Sequence, residues 1–461
     1  LAATVCLWIV ACGALPYAAL AAGFSAPILL PSGSPDEWHF ALNDRGEGGA
    51  VRGTTTGATF YPLGPSDGIG SPIELTVPGG FASSSQSIAV NAQGRIAVAL
   101  LYKDATRKPP EVEHGGGGCC GRVALTSWQL GQLPLPVQVL SPQRSPHVGD
   151  EIQVLSAPSL VVGPAAISAI WAREEEDEID PGEYGPEGRS ELVQAYGRFS
   201  EPLHVARLMT APRGVQIRQL GLAPDGSPFA SWLEDRDKLV GIDGRLDGAL
   251  SGRHRVVRVA HLSVPKGFAT ESGPSQRALF AYYSDSRNHR GSVLNTIGRR
   301  PGHQFGPVHR VATVANAGLA TFADDLQTAL AVWSRSFSAI GEDHLYVQRE
   351  GGALRSPVRQ SLGLGNDPTG FIDGHGRSVI VYRRPTAHKP DANELVAVSA
   401  EAGHPFGAPQ PIAPGLQHCG AEHEEEFNRQ PLALGPNGST VFSISCETSL
   451  GYALYLIRYS P

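Results

Sequence analysis

One short pattern recurs from end to end of this chain and limits its folds more than any other feature. An aromatic or aliphatic residue, two further residues and then Pro lead into an apolar stretch. It reads FSAPILL from Phe24, IGSPIEL from Ile69, LPLPVQV from Leu133 and FSEPLHV from Phe199. It returns as LRSPVRQ from Leu354 and FGAPQPI from Phe406, and one residue shorter before the Pro as FGPVHRV from Phe305. Between occurrences lies a second pattern, a short apolar strand, a Gly-bearing turn and a strand ending in an aromatic, as in SIAVNAQGRIAVALLY, LGLAPDGSPFASWLED and TGFIDGHGRSVIVYRR. Asn-Gly and Asp-Gly turns between alternating apolar residues are hairpin signals. A third strand follows, as in RVALTSWQL or ALYLIRYSP. No long segment shows a helical period.

Each unit thus supplies four strands, A to D. A and B flank the Gly turn, C follows a variable loop, and D begins near Pro. A strand-opening Pro suits a sheet edge, where its missing N–H breaks no ladder. Four-stranded antiparallel units in series are the blades of a β-propeller, each burying its faces on its neighbours. The expectation is an all-β β-propeller of eight blades, or seven if one unit is misread. The stretch near Arg255 lacks the Pro signature. FSAPILL would be strand D of the blade whose strands A to C end the chain, removing the open edge.

Residues 1–22 are read as a secretory signal and residues 23–461 as one propeller domain. The stretch LAATVCLWIVACGALPYAALAAG is apolar, and Ala19-Leu20-Ala21 fits a cleavage site. Residue 1 is Leu and no basic segment precedes the apolar run, so the sequence is expected to start inside the signal. Ile9-Val10-Ala11-Cys12-Gly13 also fits a lipobox, which makes a lipid anchor through Cys12 the alternative to release. No transmembrane helix is expected in the mature chain, because Pro16 interrupts this run.

The whole mature stretch resembles the secreted repeat propellers of actinobacteria that are sialidase-like in fold. That resemblance implies an extracellular protein and, in the sialidases proper, Asp boxes, three arginines on a carboxylate, a Tyr paired with an acid, and an acid/base Asp. Here APDGSPFASW is the nearest approach to an Asp box and lacks its Ser, its Thr and its spacing. AYYSDSRNHR carries Tyr282, Tyr283, Asp285 and Arg287, with His289 beside them.

Strand order puts the B–C and D–A loops at one end of the blades and the A–B and C–D loops at the other. Most of the long loops are B–C or D–A, at 103–121, 141–151, 173–190, 284–291, 334–343, 383–394 and 413–430. Loops on a rigid scaffold gather binding residues. This end is therefore the expected ligand face, with His114, His147, Tyr282, Asp285, Arg287, His289, His344, His388, His418 and His423 as its candidates. The acidic runs REEEDEIDPGEYGPEG and AEHEEEF are read as solvated loops.

No metal and no cofactor are expected. HCGAEHEEEF has neither a Cys-x-x-Cys pair nor His-Glu-x-x-His, and the acidic run lacks the residue order of a calcium loop. No phosphate loop follows GGGGCCGR, and no Gly-x-Ser-x-Gly nucleophile occurs. A net charge of −7 argues against a nucleic-acid partner. Outside the signal, Cys119, Cys120, Cys419 and Cys446 make an even number, which in an exported chain implies disulfides. Cys419 enters the last blade and Cys446 ends its strand B, so these two are paired. Cys119 and Cys120 are then left to each other, with bridges to the last blade as the rival. The functional expectation is a binding or scaffold module for an extracellular glycan or protein. The alternative is a sialidase-like glycoside hydrolase.

Overall fold

The computed structural model describes residues 23–31, 37–65, 68–79, 83–103, 121–141, 152–180, 183–185, 190–199, 201–211, 215–223, 225–234, 238–245, 248–252, 254–258, 269–271, 278–285, 292–314, 319–324, 328–336, 343–351, 358–373, 375–386, 389–401, 403–419, 432–435, 437–448 and 451–461. These residues form an all-β structure in which four-stranded antiparallel sheets follow one another along the chain. Sheet 1 is Trp38–Leu42, Gly48–Thr54, Gly57–Leu63 and Ile73–Thr76, as strands A to D. Sheet 2 is Ser83–Val90, Arg95–Lys103, Gly121–Gln129 and Gln138–Val139. In sheet 3, Ile152–Leu155 and Ser159–Val162 share the A position, before Ala166–Asp180, Ser190–Arg198 and His204–Ala211.

Sheet 4 is Val215–Leu222, Pro228–Glu234, Lys238–Asp243 and Arg255–Arg258. Sheet 5 is Ala269–Glu271, Ala278–Asp285, Ser292–Arg299 and His309–Val314. Sheet 6 is Leu319–Asp324, Thr328–Ser336, Asp343–Gly351 and Val358–Leu364. Sheet 7 is Asn366–Ile372, Ser378–Thr386, Lys389–Ala400 and Gln410–Pro411. In sheet 8, Gln417–Cys419 and Leu432–Leu434 share the A position, Thr440–Thr448 is B and Gly451–Tyr459 is C. Its strand D comes from the other end of the chain: Ile28 lies opposite Leu456 and Leu29 opposite Tyr455.

The apolar runs are continuous within the B and C strands because both faces of a sheet are covered. In sheet 4, Phe229 and Leu233 pack with Ile297 of sheet 5, while Ala230 and Trp232, one residue out of phase, pack with Ile170 and Leu192 of sheet 3. The same two-faced packing joins Phe60 to Tyr102, Leu125 to Trp171, Val347 to Tyr382, and Val381 to Phe442. Leu454 and Leu456 of sheet 8 pack on Trp38 and Phe40 of sheet 1. From sheet 1 through sheet 6, strand A lies against strand A of the next sheet; Gln417–Cys419 of sheet 8 lies against strand C of sheet 7, and Leu432–Leu434 of sheet 8 lies against strand A of sheet 1. The A strands are therefore innermost. Apolar residues on D strands, such as Leu29 and Val256, are exposed. This is the architecture of a β-propeller.

The Gly turns form as the sequence implies. Gly94, Gly226, Gly376 and Gly438 all have positive φ, between 75° and 87°, at the same point of the A–B hairpin. A side-chain oxygen makes the turn rigid: Asn91 Oδ1 accepts from Gln93 and Arg95 N–H, and Asp373 Oδ1 from His375 and Arg377 N–H. The Pro-led strands lie at sheet edges, and Arg255–Arg258 takes an edge without the signature.

Two readings are corrected. The acidic run is not simply a loop: strand Ala166–Asp180 continues through it, paired with Ile152–Leu155 on one side and with Glu183–Gly185 beyond. The backbone ladder there is satisfied whatever the side chains, so a run without apolar alternation conceals a strand. The stretch 383–394 is likewise a hairpin arm, Arg384 facing Glu394 and Pro385 facing Asn393. Beside the majority of long B–C and D–A connections there are also C–D connections of some length, at 64–72, 244–254, 300–308 and 401–409.

Candidate functional site

The two ends of the sheets are built differently. At the A–B and C–D end, connections fold back on their own sheet and neighbouring sheets are bonded together. Gly70 N–H donates to Pro62 O at 2.7 Å, Gly306 to Gly298 O at 2.8 Å and Gly407 to Ser399 O at 3.0 Å. Glycine serves here because a Cβ at Gly70 would stand 3.0 Å from Pro62. Between sheets, Asn91 Nδ2 donates to Gly163 O at 2.8 Å and Arg95 Nη1 to Pro164 O at 2.8 Å. Gln194 brackets the sheet 4 connection, donating to Gly248 O at 2.8 Å and accepting from Leu250 N–H at 3.1 Å.

Gln360 clasps Phe406 in the same two-bonded way, and Gln138 clasps Leu203. Arg458 crosses the junction of sheets 8 and 1, donating to Gly46 O at 2.6 Å and to Gly64 O. Tyr459 donates to Asp373 Oδ2 at 3.1 Å across sheets 7 and 8. Burial, with the Asp373 charge beside it, pushes the Tyr459 phenol up to about 12. Arg299 of sheet 5 reaches into sheet 4, bonding Asp243 Oδ1 at 2.7 Å and the carbonyls of Ile242 and Ala230 at 3.3 and 3.4 Å. Its guanidinium carbon lies 5.8 Å from the ring centroids of both Phe229 and Phe305.

The opposite end carries the projecting arms. At the base of the sheet 3 arm, Arg173 and Arg207 both meet Glu191, at 3.4 and 3.0 Å. On the sheet 7 arm Arg384 pairs with Glu394 at 2.7 Å. Beside it, Arg383 Nη1 donates to Cys419 O in sheet 8 at 3.3 Å, and burial pulls that guanidinium below its ordinary range. Cys419 and Cys446 lie opposite one another in the ladder and form a disulfide, as the cysteine arithmetic implies. Cys419 itself is on a short strand rather than in a loop. Trp232 Nε1 donates to Glu234 Oε1 at 3.0 Å.

Of the residues singled out in the sequence, Asp285 is the last of its strand, opposite Ser292, and His344 lies near the start of its strand, opposite Arg335. His418 lies between Gln417 and Cys419 on strand A of sheet 8. All three are thus at the arm-bearing end, on sheets 5, 6 and 8. Tyr282 is mid-strand, opposite Asn295, and away from the loop end. His114, His147, Arg287, His289, His388, His423, Cys119 and Cys120 lie outside the described residues. Among the described residues, no group of three or more His, Cys, Asp and Glu fits a metal ion, and no helix is long and apolar enough to cross a membrane. The arginines named at this end are engaged by carboxylates or a carbonyl of the protein. Sequence reasoning missed Glu191, Arg207 and Arg383, whose significance depends on cross-strand and cross-sheet partners that no local spacing reveals.

Serial four-stranded antiparallel sheets with inner A strands define the chain as a β-propeller with one bonded end and one arm-bearing end. The sequence matches no known protein-family model and no curated protein. Among solved structures it is similar to the β-propeller domain of the Trilobed protease from Pyrococcus furiosus, at 10% identity over 79% of this chain and 90% of that one, with TM-score 0.40. A protein of unknown function from Dyadobacter fermentans is 10% identical over 95% of this chain and 100% of its own, with TM-score 0.33. A Hadza microbial sialidase is 8% identical over 88% of this chain and 74% of its own, with TM-score 0.33. Likeness at this level supports no functional argument, and the class rests on the sheets themselves.

Proposed function

We propose that the chain is an exported, closed eight-bladed β-propeller that acts as a binding module, with an extracellular glycan or protein docking on the arm-bearing end. The observation that carries this reading is the contrast between the ends. One is bonded across sheet after sheet through Asn91, Gln194, Arg299, Tyr459 and Arg458. The other projects strand hairpins at 174–185 and 384–394 past the body of the sheets. Projecting arms on a rigid ring present contact surface at little ordering cost. Asp285, His344 and His418 border that surface. Closure of the ring is supported by the Ile28–Leu29 strand on sheet 8 and by the apolar packing of sheet 8 on sheet 1. Export is supported by the Cys419–Cys446 bond, since such bonds persist in oxidising compartments. Residues 1–22 act as the secretory signal in this reading, with anchoring through Cys12 as the other outcome.

The test is a binding screen of the secreted protein against glycans and cell-wall fractions, run beside a variant with 176–185 replaced by a tight turn. Binding that the arm variant loses, while a variant in the 401–409 connection keeps it, supports the reading. Equal binding by both variants contradicts it. Turnover of a fluorogenic sialoside would replace the binding module by the hydrolase.

A further inference from the structure

Sheets 4 and 5 meet over a row of polar groups that the apolar packing leaves unanswered. Gln219, Ser231 and Gly241 stand directly opposite one another on strands A, B and C of sheet 4. Directly opposed residues of an antiparallel ladder share a face. Here that face is the one turned to sheet 5, because Phe229 and Leu233, in phase with Ser231, pack with Ile297. Arg299 of sheet 5 lies over the row, its Nε 2.6 Å from where a Cβ on Gly241 would stand. Gln219 is 6% exposed, Ser231 0% and Arg299 1%. Yet among the described residues Gln219 Nε2 and Oε1, Ser231 Oγ and Arg299 Nε have no hydrogen-bond partner. The Arg299 Nη atoms are spent on Asp243 and two carbonyls, which leaves Nε–H as a donor facing the row.

We propose that this interface is a buried hydration site, where water bridges Arg299 Nε, Ser231 Oγ and the Gln219 amide. Buried polar atoms in native proteins are almost always satisfied, and each one left bare is costly. An internal water needs two to four polar partners, and the row offers four atoms. The mixture of groups selects water over an ion. Gln219 Oε1 only accepts, which disfavours an anion, while Arg299 and the amide N–H disfavour a cation. Asp243 is shared between Arg299 and Arg255, so it is the accepting Gln219 Oε1 that weighs against an anion. The small Ser231 and the bare Gly241 keep the sheet surface low between Gln219 and the guanidinium.

A high-resolution crystal structure of the whole protein tests this. The expected result is ordered water at about 2.7–3.2 Å from at least two of the three side chains. Direct bonds among Gln219, Ser231 and Arg299, or an empty gap, would overturn it. So would an anomalous peak at this place after a bromide soak, which would make the site one for an anion. In Ser231→Ala, which removes only the hydroxyl, the water should shift away from position 231 or vanish, with Arg299 still on Asp243. Water unmoved in that variant would show that Ser231 takes no part and would overturn the assignment.

Discussion

Removing Asp243 should destabilise the protein more than removing both Asp243 and Arg299. The Arg299 side chain is wholly buried between sheets 4 and 5, and Asp243 is its charged partner at 2.7 Å. Burial already pulls the guanidinium below its ordinary range, and the bond to Asp243 opposes that. In Asp243→Ala the cation loses its carboxylate and keeps the two carbonyl contacts at 3.3 and 3.4 Å. Arg255, whose Nε meets Asp243 at 3.1 Å, loses its counter-charge as well. Stranding one member of a buried pair costs about 3–5 kcal/mol, whereas replacing both members by apolar groups is often close to neutral. With a urea slope of about 3 kcal/mol/M or more for a chain of this size, the midpoint should fall by about 1 M in the single variant. Asp243→Ala combined with Arg299→Met should recover most of that loss. Urea unfolding followed by tryptophan fluorescence reads both, since Trp232 lies in the same sheet. A loss below about 1 kcal/mol, or a double variant no better than the single, would refute the reasoning.

Cys446→Ser should cost about 3–4 kcal/mol by the chain-entropy relation, because the bond to Cys419 closes a separation of 27 residues, and the urea midpoint of oxidised and reduced protein checks it. Tyr459 has a folded phenol pKa of about 12, above its unfolded value, so its contribution is whole below about pH 10 and is lost as the pH rises towards 12. Tyr459→Phe should therefore flatten the alkaline limb of stability against pH, and a limb unchanged in the variant would count against this assignment. Gly241→Ala should cost about 1–3 kcal/mol in thermal or urea unfolding, since the new methyl meets Arg299 Nε at 2.6 Å and that side chain is held at its far end.

Much of the scaffold was legible because the information is local. Gly94, Gly226, Gly376 and Gly438 mark hairpins through a positive φ that glycine adopts freely, and the Pro-led strands mark edges through a missing donor. Cys419 and Cys446 were paired correctly because strand order alone brings them together. The acidic arm was not legible: Glu174 to Asp180 carry no period-two apolar signal, and only pairing with Ile152–Leu155 and Glu183–Gly185 reveals the strand. Nor was the bonded end, because Arg299, Gln194 and Arg458 each find their partners in another sheet. The candidate ligand face was readable as an end of the propeller. Its chemistry was not, since Asp285, His344 and His418 come from three separate sheets and no local motif links them.

The claim on which the rest depends is that the first strand closes the ring. Leu29 and Tyr455 are directly opposite in the final sheet, a position from which paired cysteines can bond. Leu29→Cys with Tyr455→Cys, purified without reductant and mapped by peptide mass spectrometry, should give one peptide linking positions 29 and 455. It should also migrate faster on a non-reducing gel than after reduction. Two free, alkylatable thiols at those positions in folded protein would contradict the closed propeller.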